Sequence, residues 1–337
     1  MASASEANIQ KLKPVLGWEA LRRYRRWLGS RSGFLERRFR FPNPLKVSYR
    51  RSQLHLGRSD GHGDVLLCTP ALRELKRINP ACDVTFYTYI PGLLRGLPFI
   101  DAVRGFDERP GDCIILGYES LIPPHRHLAG IIGDRLGLRI RDVRPSCAVN
   151  PELVSRFLAE WRDMRRPRII VNRRAGPCTP NKDWPDEYWG DLLARLTARF
   201  SVIEIGASAQ DCGARPDGDY LDLRGKTGLE ELVAAIGAAD LHVGPDSGPV
   251  HIAAALGTPA VVIYGGYIDP VCTGYPGNIN FYSPVHCAPC WLRSPCPYGK
   301  DCLYRIKPDA VEEAVNRLWC SSSDMPKRTI LLASQDR

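Results

Sequence analysis

Three short stretches carry residue types that together could move a group from a phosphate-bearing donor to a hydroxyl. The first, VGPDSGPVHIAAALGTPAVVIYGG at 243–266, interrupts a strand-like run with Asp246, Ser247 and Gly248 ahead of Pro249 and a string of alanines. That is a helix start, with proline where a missing N–H costs nothing and Gly257 and Pro259 to stop the helix. A helix N-terminus behind a strand, with glycine to admit close approach, is an anion site. His251, one turn in, is placed either to reach the same anion or to bond a loop group. The second stretch, GRSDGHGD at 57–64, sets Asp64 at the start of another helix. A carboxylate there can cap N–H groups and oppose the helix dipole. It can equally serve as a general base, with Gly61 and Gly63 leaving room for a bulky hydroxyl and His62 as a second candidate. The third, NKDWPDEYW at 181–189, places Lys182 before a helix start, either as a point charge for a diphosphate or as a solvated surface residue. Trp184 beside it reads as packing. A deprotonated hydroxyl attacking a donor, while Lys182 and backbone N–H groups take up the charge gathering on a leaving diphosphate, is the chemistry these residues could perform.

The elements around these stretches alternate. SQLHLG reads as a strand, followed by the glycine loop and one amphipathic helix burying Val65, Leu66, Leu72, Leu75 and Ile78. DVTFYTY, DCIILGY and the helical HLAGIIGDRLGL continue the pattern. It restarts at RPRIIVNRRAG with strands SVIEIGA and DLHVG and helices PDEYWGDLLARLTARF and LEELVAAIGAA. Repeated βα units imply parallel sheets with helices on their faces. The expected class is α/β, with two Rossmann-like domains facing across a cleft: 52–160 for an acceptor substrate, 161–320 for a phosphate-bearing donor, a basic arm at 1–51 and a polar tail at 321–337. PELVSRFLAEWRDM is the expected connector. Ligands bind beyond the carboxyl ends of such strands, so the two glycine-bearing loops should form opposite walls of the cleft.

Composition narrows the function classes. The 337 residues carry a formal +9, yet residues 1–51 alone hold 13 Lys and Arg against Glu6, Glu19 and Glu36, leaving the remainder close to neutral. WEALRRYRRWLGS within the arm has an apolar face of Trp18, Leu21, Tyr24 and Leu28 beside clustered arginines, suited to an anionic membrane surface or to packing on its own domain. No nucleic-acid-binding motif accompanies the arm, so no nucleic-acid partner is expected. No run reaches the length of a membrane span and the N-terminus lacks a signal peptide's apolar centre, so a cytoplasmic protein is expected, peripheral on a membrane if the arm lies on one. Eight of the 12 cysteines are scattered, as reduced thiols are. Cys287, Cys290, Cys296 and Cys302 are instead spaced C-x2-C-x5-C-x5-C, which could enclose a structural Zn or Fe or stand as reduced thiols.

Four segments, GHGDVLLCTPALRELKRINP, NKDWPDEYW, GPDSGPVHIAAALGTPAVVIYGG and CAPCWLRSPCPYGKDCLYRIKPDAV, resemble in order the hallmark segments of glycosyltransferase family 9. These are the bacterial ADP-heptose heptosyltransferases of lipopolysaccharide core synthesis, and the resemblance runs from about residue 52 to 320. It implies a GT-B fold and an inverting transfer that needs no metal or other cofactor for catalysis. Asp64 matches the family's base. Lys182 matches the lysine on the donor phosphates, and Asp246, Ser247, Gly248 and His251 match the donor-binding helix start. RGKTGLEEL corresponds to a segment near the adenine, which adds Lys226 and Thr227 as donor candidates. Enzymes of the family that add the first heptose carry paired threonines where this chain has Pro177 and Cys178. Similar cysteines recur in the second-heptose enzymes, and a related group that glycosylates autotransporter proteins holds iron with them. The implied partners are a nucleotide-diphosphate sugar, with ADP-heptose the family's donor, and a glycan or glycolipid acceptor. Two rival readings are the same fold glycosylating a protein or small molecule, and a non-catalytic nucleotide-sugar-binding protein docked by its arm.

Overall fold

A computed structural model describes residues 51–118, 123–208 and 216–322. The arm through residue 50 and the tail from 323 lie outside the described residues. The chain builds two parallel sheets. The first comprises β1 (Gln53–Gly57), β2 (Asp83–Thr88), β3 (Ala102–Gly105) and β4 (Ile114–Ile115), in the order β3-β2-β1-β4. The second comprises β5 (Arg168–Val171), β6 (Ser201–Glu204), β7 (Tyr220–Asp222), β8 (Leu241–Pro245), β9 (Ala260–Gly265) and β10 (Ile279–Tyr282), in the order β10-β9-β8-β5-β6-β7. Strands covered on both faces read as continuous apolar runs, as AVVIYG in β9 does, with every residue buried. Each sheet reverses its strand order beside its first strand, between β1 and β4 and between β5 and β8. Ligand crevices open at such points, outside the carboxyl ends of the strands.

The single helix expected after the glycine loop is two, α1 (His62–Leu66) and α2 (Thr69–Ile78). Pro70 in the first turn of α2 has no N–H for the preceding turn, so the chain restarts there, and the Thr69 hydroxyl donates to Leu66 O at 2.7 Å. Val65, Leu66, Leu72 and Leu75 are buried as expected, but Ile78 is 41% exposed at the frayed end. The helices α3 (Leu128–Arg135), α4 (Pro151–Glu160), α5 (Asp186–Arg199) and α6 (Leu229–Ala238) follow the pattern read from sequence. The connector α4 is capped by Asn150, whose side chain accepts from the N–H groups of Glu152 and Leu153. It packs on α6 through Val154 against Gly237 and an Arg156–Glu231 ion pair at 3.0 Å. The alanine-rich helix α7 (Gly248–Leu256) ends at Gly257, which at φ +71° adopts the left-handed cap only glycine takes without strain. A last helix, α8 (Pro308–Ser322), covers the far face of the second sheet, with Val311 and Val315 joining Trp184, Trp189 and Leu192 in its core.

The main apolar core is continuous between the halves, from Leu56 and Leu66 through Val250 and Ile252 of α7 to Ile170 and Val262. Each fully buried aliphatic side chain contributes roughly 1.5–3 kcal/mol, so this shared core holds the loops at the strand ends in a set relation.

Candidate active site

The carboxyl ends of β1, β4, β5, β8 and β9 surround a cavity of about 820 Å³. Its walls include Gly61, His62, Gly63 and Asp64 from the first half and Lys182, Asp246, Ser247, Gly248 and His251 from the second. The two strand-order reversals thus face one another, and the loops singled out in the sequence meet there. They meet closely. A Cβ on Gly63 would stand 2.6 Å from His251 Cδ2, and one on Gly248 would stand 3.0 Å from the Cβ of His62. Each half therefore presents a histidine to a glycine of the other, and the absence of a side chain on Gly63 permits the approach.

On the first-half wall Asp64 sits in the first turn of α1. Its Oδ1 accepts the Tyr118 hydroxyl at 2.6 Å and a guanidinium N–H of Arg58 at 3.3 Å. Arg58 is buried, pairs also with Asp60 at 2.9 Å, and donates to Leu116 O at 3.2 Å, so it is held at three points. Asp64 Oδ2 has no hydrogen bond among the described residues and lies on the side of Gly61, where glycine leaves room. One carboxylate oxygen is anchored and the other is open. His62 is the first residue of α1 rather than a loop tip, and burial lowers its pKa.

The second-half wall is built around an ion pair. The Lys182 ammonium donates to Asp246 Oδ2 at 2.7 Å and to Asp246 O at 3.1 Å, and lies 4.9 Å from the centre of the Tyr267 ring. Thr273 donates to Asp246 Oδ1 at 2.9 Å. Burial works against both charges, yet each outweighs it for the other. Asp246 raises the Lys182 pKa, while Lys182 holds the Asp246 carboxyl below its ordinary range. Asp246 thus serves as the built-in counter-ion of Lys182. Ser247 is the N-cap residue of α7, but its hydroxyl does not cap the helix. It donates to Pro245 O at 3.2 Å and accepts from Asn172 Nδ2 at 3.1 Å, while Asn172 Oδ1 is 2.8 Å from Nε2 of the buried His242. What Ser247 and Gly248 can offer an anion is therefore their backbone. His251 bonds a side chain rather than a loop carbonyl, with Nδ1 2.6 Å from the Tyr275 hydroxyl. Burial lowers its pKa, against the pull of Asp246 and Asp64.

Lys226 and Thr227 do not line the cavity. They precede α6, and the Lys226 ammonium donates to Asp222 O at 2.7 Å. Trp184 is packing, with its indole N–H on Ile306 O at 3.0 Å and an edge contact to Trp189. Pro177 and Cys178 line the cavity beside Lys182. Metal-dependent transferases hold their metal on an Asp-x-Asp. The triplet Asp217-Gly218-Asp219 has that spacing, but Asp219 is engaged by Arg165 at 3.1 Å and by Ser201, and none of the three lines the cavity.

All four clustered cysteines line one second, small cavity of about 10 Å³, with Asn181, Tyr267 and Lys300. Burial pushes the Cys290 thiol up to about 11, and Cys287, Cys302 and Cys296 add like-charge repulsion that a cation would offset. Residue type and convergence suit a soft metal ion. Among the described residues, however, no three His, Cys, Asp or Glu are spaced to hold one. The same loop borders the larger cavity through Trp291 and Arg293. It is tied to the Lys182 turn by Asn181 Nδ2, which donates to Leu292 O at 2.6 Å and Ser294 O at 2.8 Å, and by the Thr179 hydroxyl on Leu292 O at 2.8 Å.

Sequence reading missed Arg58, Tyr118, Tyr267, Thr273 and Tyr275. Arg58 lies inside the glycine loop, six residues from Asp64, and its role was hidden there by the search for a base, whereas the other four matter through partners 24 or more residues away.

The model of glycosyltransferase family 9 (heptosyltransferase) matches residues 134–294, which include Lys182, Asp246 and His251. The lipopolysaccharide core heptosyltransferase OpsX of Haemophilus influenzae is 42% identical over 140 residues, a match spanning 37% of this chain and 38% of that protein. The chain spans well under half the length of the curated relatives it matches. Among solved structures, ADP-heptose lps heptosyltransferase II of E. coli superposes with a TM-score of 0.61 at 20% identity, over 80% of this chain and 99% of that one. The iron-containing dodecameric glycosyltransferase TibC of enterotoxigenic E. coli gives 0.62 at 20% identity, over 82% and 78%. At those identities the likeness is one of fold, and the fold is GT-B. The family model on the second-half wall, the related sequences and this architecture agree, and residues 134–294 match glycosyltransferase family 9 (heptosyltransferase).

Proposed function

We propose that the protein transfers a sugar, heptose from ADP-heptose, to a lipopolysaccharide core or another cell-surface glycan, with inversion at the anomeric carbon and without a metal at the reacting centre. The observation that carries this reading is the facing pair of walls, an open carboxylate oxygen on one and a buried lysine at a helix start on the other, around one cavity. Asp64 Oδ2 takes the proton of the acceptor hydroxyl while Tyr118 and Arg58 hold Oδ1, so the carboxylate does not turn as its charge is lost. The acceptor oxygen forms its bond to the anomeric carbon as the bond to the donor phosphate breaks. Lys182 and the backbone N–H groups at the start of α7 receive the charge that gathers on the departing diphosphate. Asp246 keeps the ammonium charged in its buried setting before any ligand arrives.

Were a structural Zn or Fe bound here, Cys287, Cys290, Cys296 and Cys302 would be the residues to hold it, and they would have to draw together to do so. Such an ion would fix the loop that carries Trp291 and Arg293, and four thiolates would leave it no open position for chemistry. The basic arm holds the enzyme on the anionic inner leaflet at roughly 1 kcal/mol per Lys or Arg near the surface, so vesicle binding should be lost at high salt. Equally tight binding to neutral vesicles would contradict it.

The test is product analysis of the purified full chain with ADP-, UDP- and GDP-sugars. Pro177 and Cys178 stand on the cavity wall, which makes the breadth of the panel important. Transfer or slow hydrolysis confined to an ADP-sugar supports the proposal. Turnover of none of them, with nucleotide still bound, would support the binding-protein reading instead.

A further inference from the structure

Tyr275 belongs to neither wall as the sequence presents them, yet its hydroxyl lies 2.6 Å from His251 Nδ1. Both residues are buried, and the tyrosine ring is held between two imidazoles, with His127 at 5.5 Å and His251 at 5.6 Å between ring centres. Two proton arrangements are consistent with that distance. If His251 Nδ1 carries the proton and donates to the tyrosine oxygen, the tyrosine O–H must find an acceptor elsewhere. Among the described residues the Tyr275 hydroxyl has no hydrogen bond other than the one to His251. A buried hydroxyl proton left without an acceptor is costly, whereas a hydroxyl donating to Nδ1 satisfies both groups. The second arrangement puts the imidazole proton on Nε2. That edge of the ring faces Gly63, since a Cβ there would stand 2.9 Å from Nε2, and Gly63 adjoins Asp64.

We infer that Tyr275 is a positioning residue that holds His251 in its Nε2–H tautomer, making the ring a hydrogen-bond donor on the cavity wall between Asp64 and the Lys182–Asp246 pair. The tautomer of a histidine is set by what its other nitrogen bonds. An N–H at this place serves an oxygen of a bound ligand, either of the donor diphosphate or of the sugar. Burial keeps the ring neutral, so it donates without adding a charge. The part of the inference concerning turnover rests on the transferase reading above; the tautomer itself does not.

The experiment is long-range proton–nitrogen NMR on the full chain labelled with 15N-histidine, with the His251 signal among the seven histidines assigned by its loss in His251→Gln. The expected wild-type spectrum shows Nε2 protonated and Nδ1 bare. Tyr275→Phe keeps the ring between the two imidazoles and removes only the hydroxyl. It should move His251 toward a mixture of tautomers and lower turnover about tenfold, the effect of one lost hydrogen bond. His251→Gln, which offers an amide N–H near the Nε2 position, should retain more turnover than His251→Asn. A wild-type His251 protonated on Nδ1, or a tautomer unchanged in Tyr275→Phe, overturns the inference. Because the spectrum requires no sugar donor, a protein that transfers nothing sinks the transferase reading without touching the tautomer.

Discussion

The two walls of the cavity are built on opposite plans. On the second-half wall, Lys182 and Asp246 are 15% and 4% exposed, and both oxygens of Asp246 are engaged before any ligand binds. On the first-half wall, Asp64 is 27% exposed and keeps one oxygen open. The contrast matches the two jobs proposed. A donor diphosphate brings its charge into the ground state, so its wall benefits from a fixed, desolvated cation with its own counter-ion. A base must gain a proton during the reaction, so its wall benefits from an anchored carboxylate that is neither buried nor saturated.

Cutting the built-in pair should have the largest effect on stability. Asp246→Ala leaves a buried ammonium without its partner, and denaturant unfolding should register a loss of about 3–5 kcal/mol, against a change of no more than about 1 kcal/mol for Asp64→Asn. Equal unfolding midpoints for the two variants would erase the contrast between the walls. The seam where the walls touch comes next. Gly63→Ala drives a methyl into the His251 ring, which Tyr275 holds in place, and should cost about 1–3 kcal/mol as well as turnover. Gly248→Ala meets the His62 side chain, nearest at its Cβ at 3.0 Å, and should cost less. Indifference to Gly63→Ala would mean the halves stand farther apart in solution. The smallest change in turnover is expected at the cysteine loop, which supports the donor wall from behind. Metal analysis of untagged protein should find about one Zn or Fe per chain, absent from the Cys287→Ser/Cys290→Ser double variant. Metal-free wild-type protein with the same melting behaviour as the variant would establish plain thiols.

The second-half wall was also the more legible in sequence. Asp246-Ser247-Gly248-Pro249 announces a helix start by local chemistry alone, and α7 begins at Gly248 and stops at Gly257 as read. What local chemistry did not convey was the direction of the side chains. The Ser247 hydroxyl turns inward to Pro245 and Asn172, and Asp246 turns to Lys182, 64 residues away. The first-half wall depends still more on distant partners, since Tyr118 reaches Asp64 across 54 residues. The alternation of apolar runs conveyed two parallel sheets but passed over β3, β7 and β10, short outer strands that are mostly half-buried and whose alternation is too brief to stand out. The break between α1 and α2 was signalled by Pro70, yet the apolar face continues across it and hid the interruption.

The central claim, one wall for donor charge and the other for the acceptor proton, is tested most directly by measuring ADP affinity and sugar transfer side by side in Asp64→Asn and Lys182→Ala. The amide at position 64 keeps the shape and loses the basicity, so ADP should bind as in the wild type while transfer falls by about 10²–10⁴-fold. Removing the ammonium at 182 should weaken both ADP binding and transfer, because it acts on charge present before and during the reaction. Near wild-type transfer by Asp64→Asn, or an unchanged ADP dissociation constant in Lys182→Ala, would contradict the account.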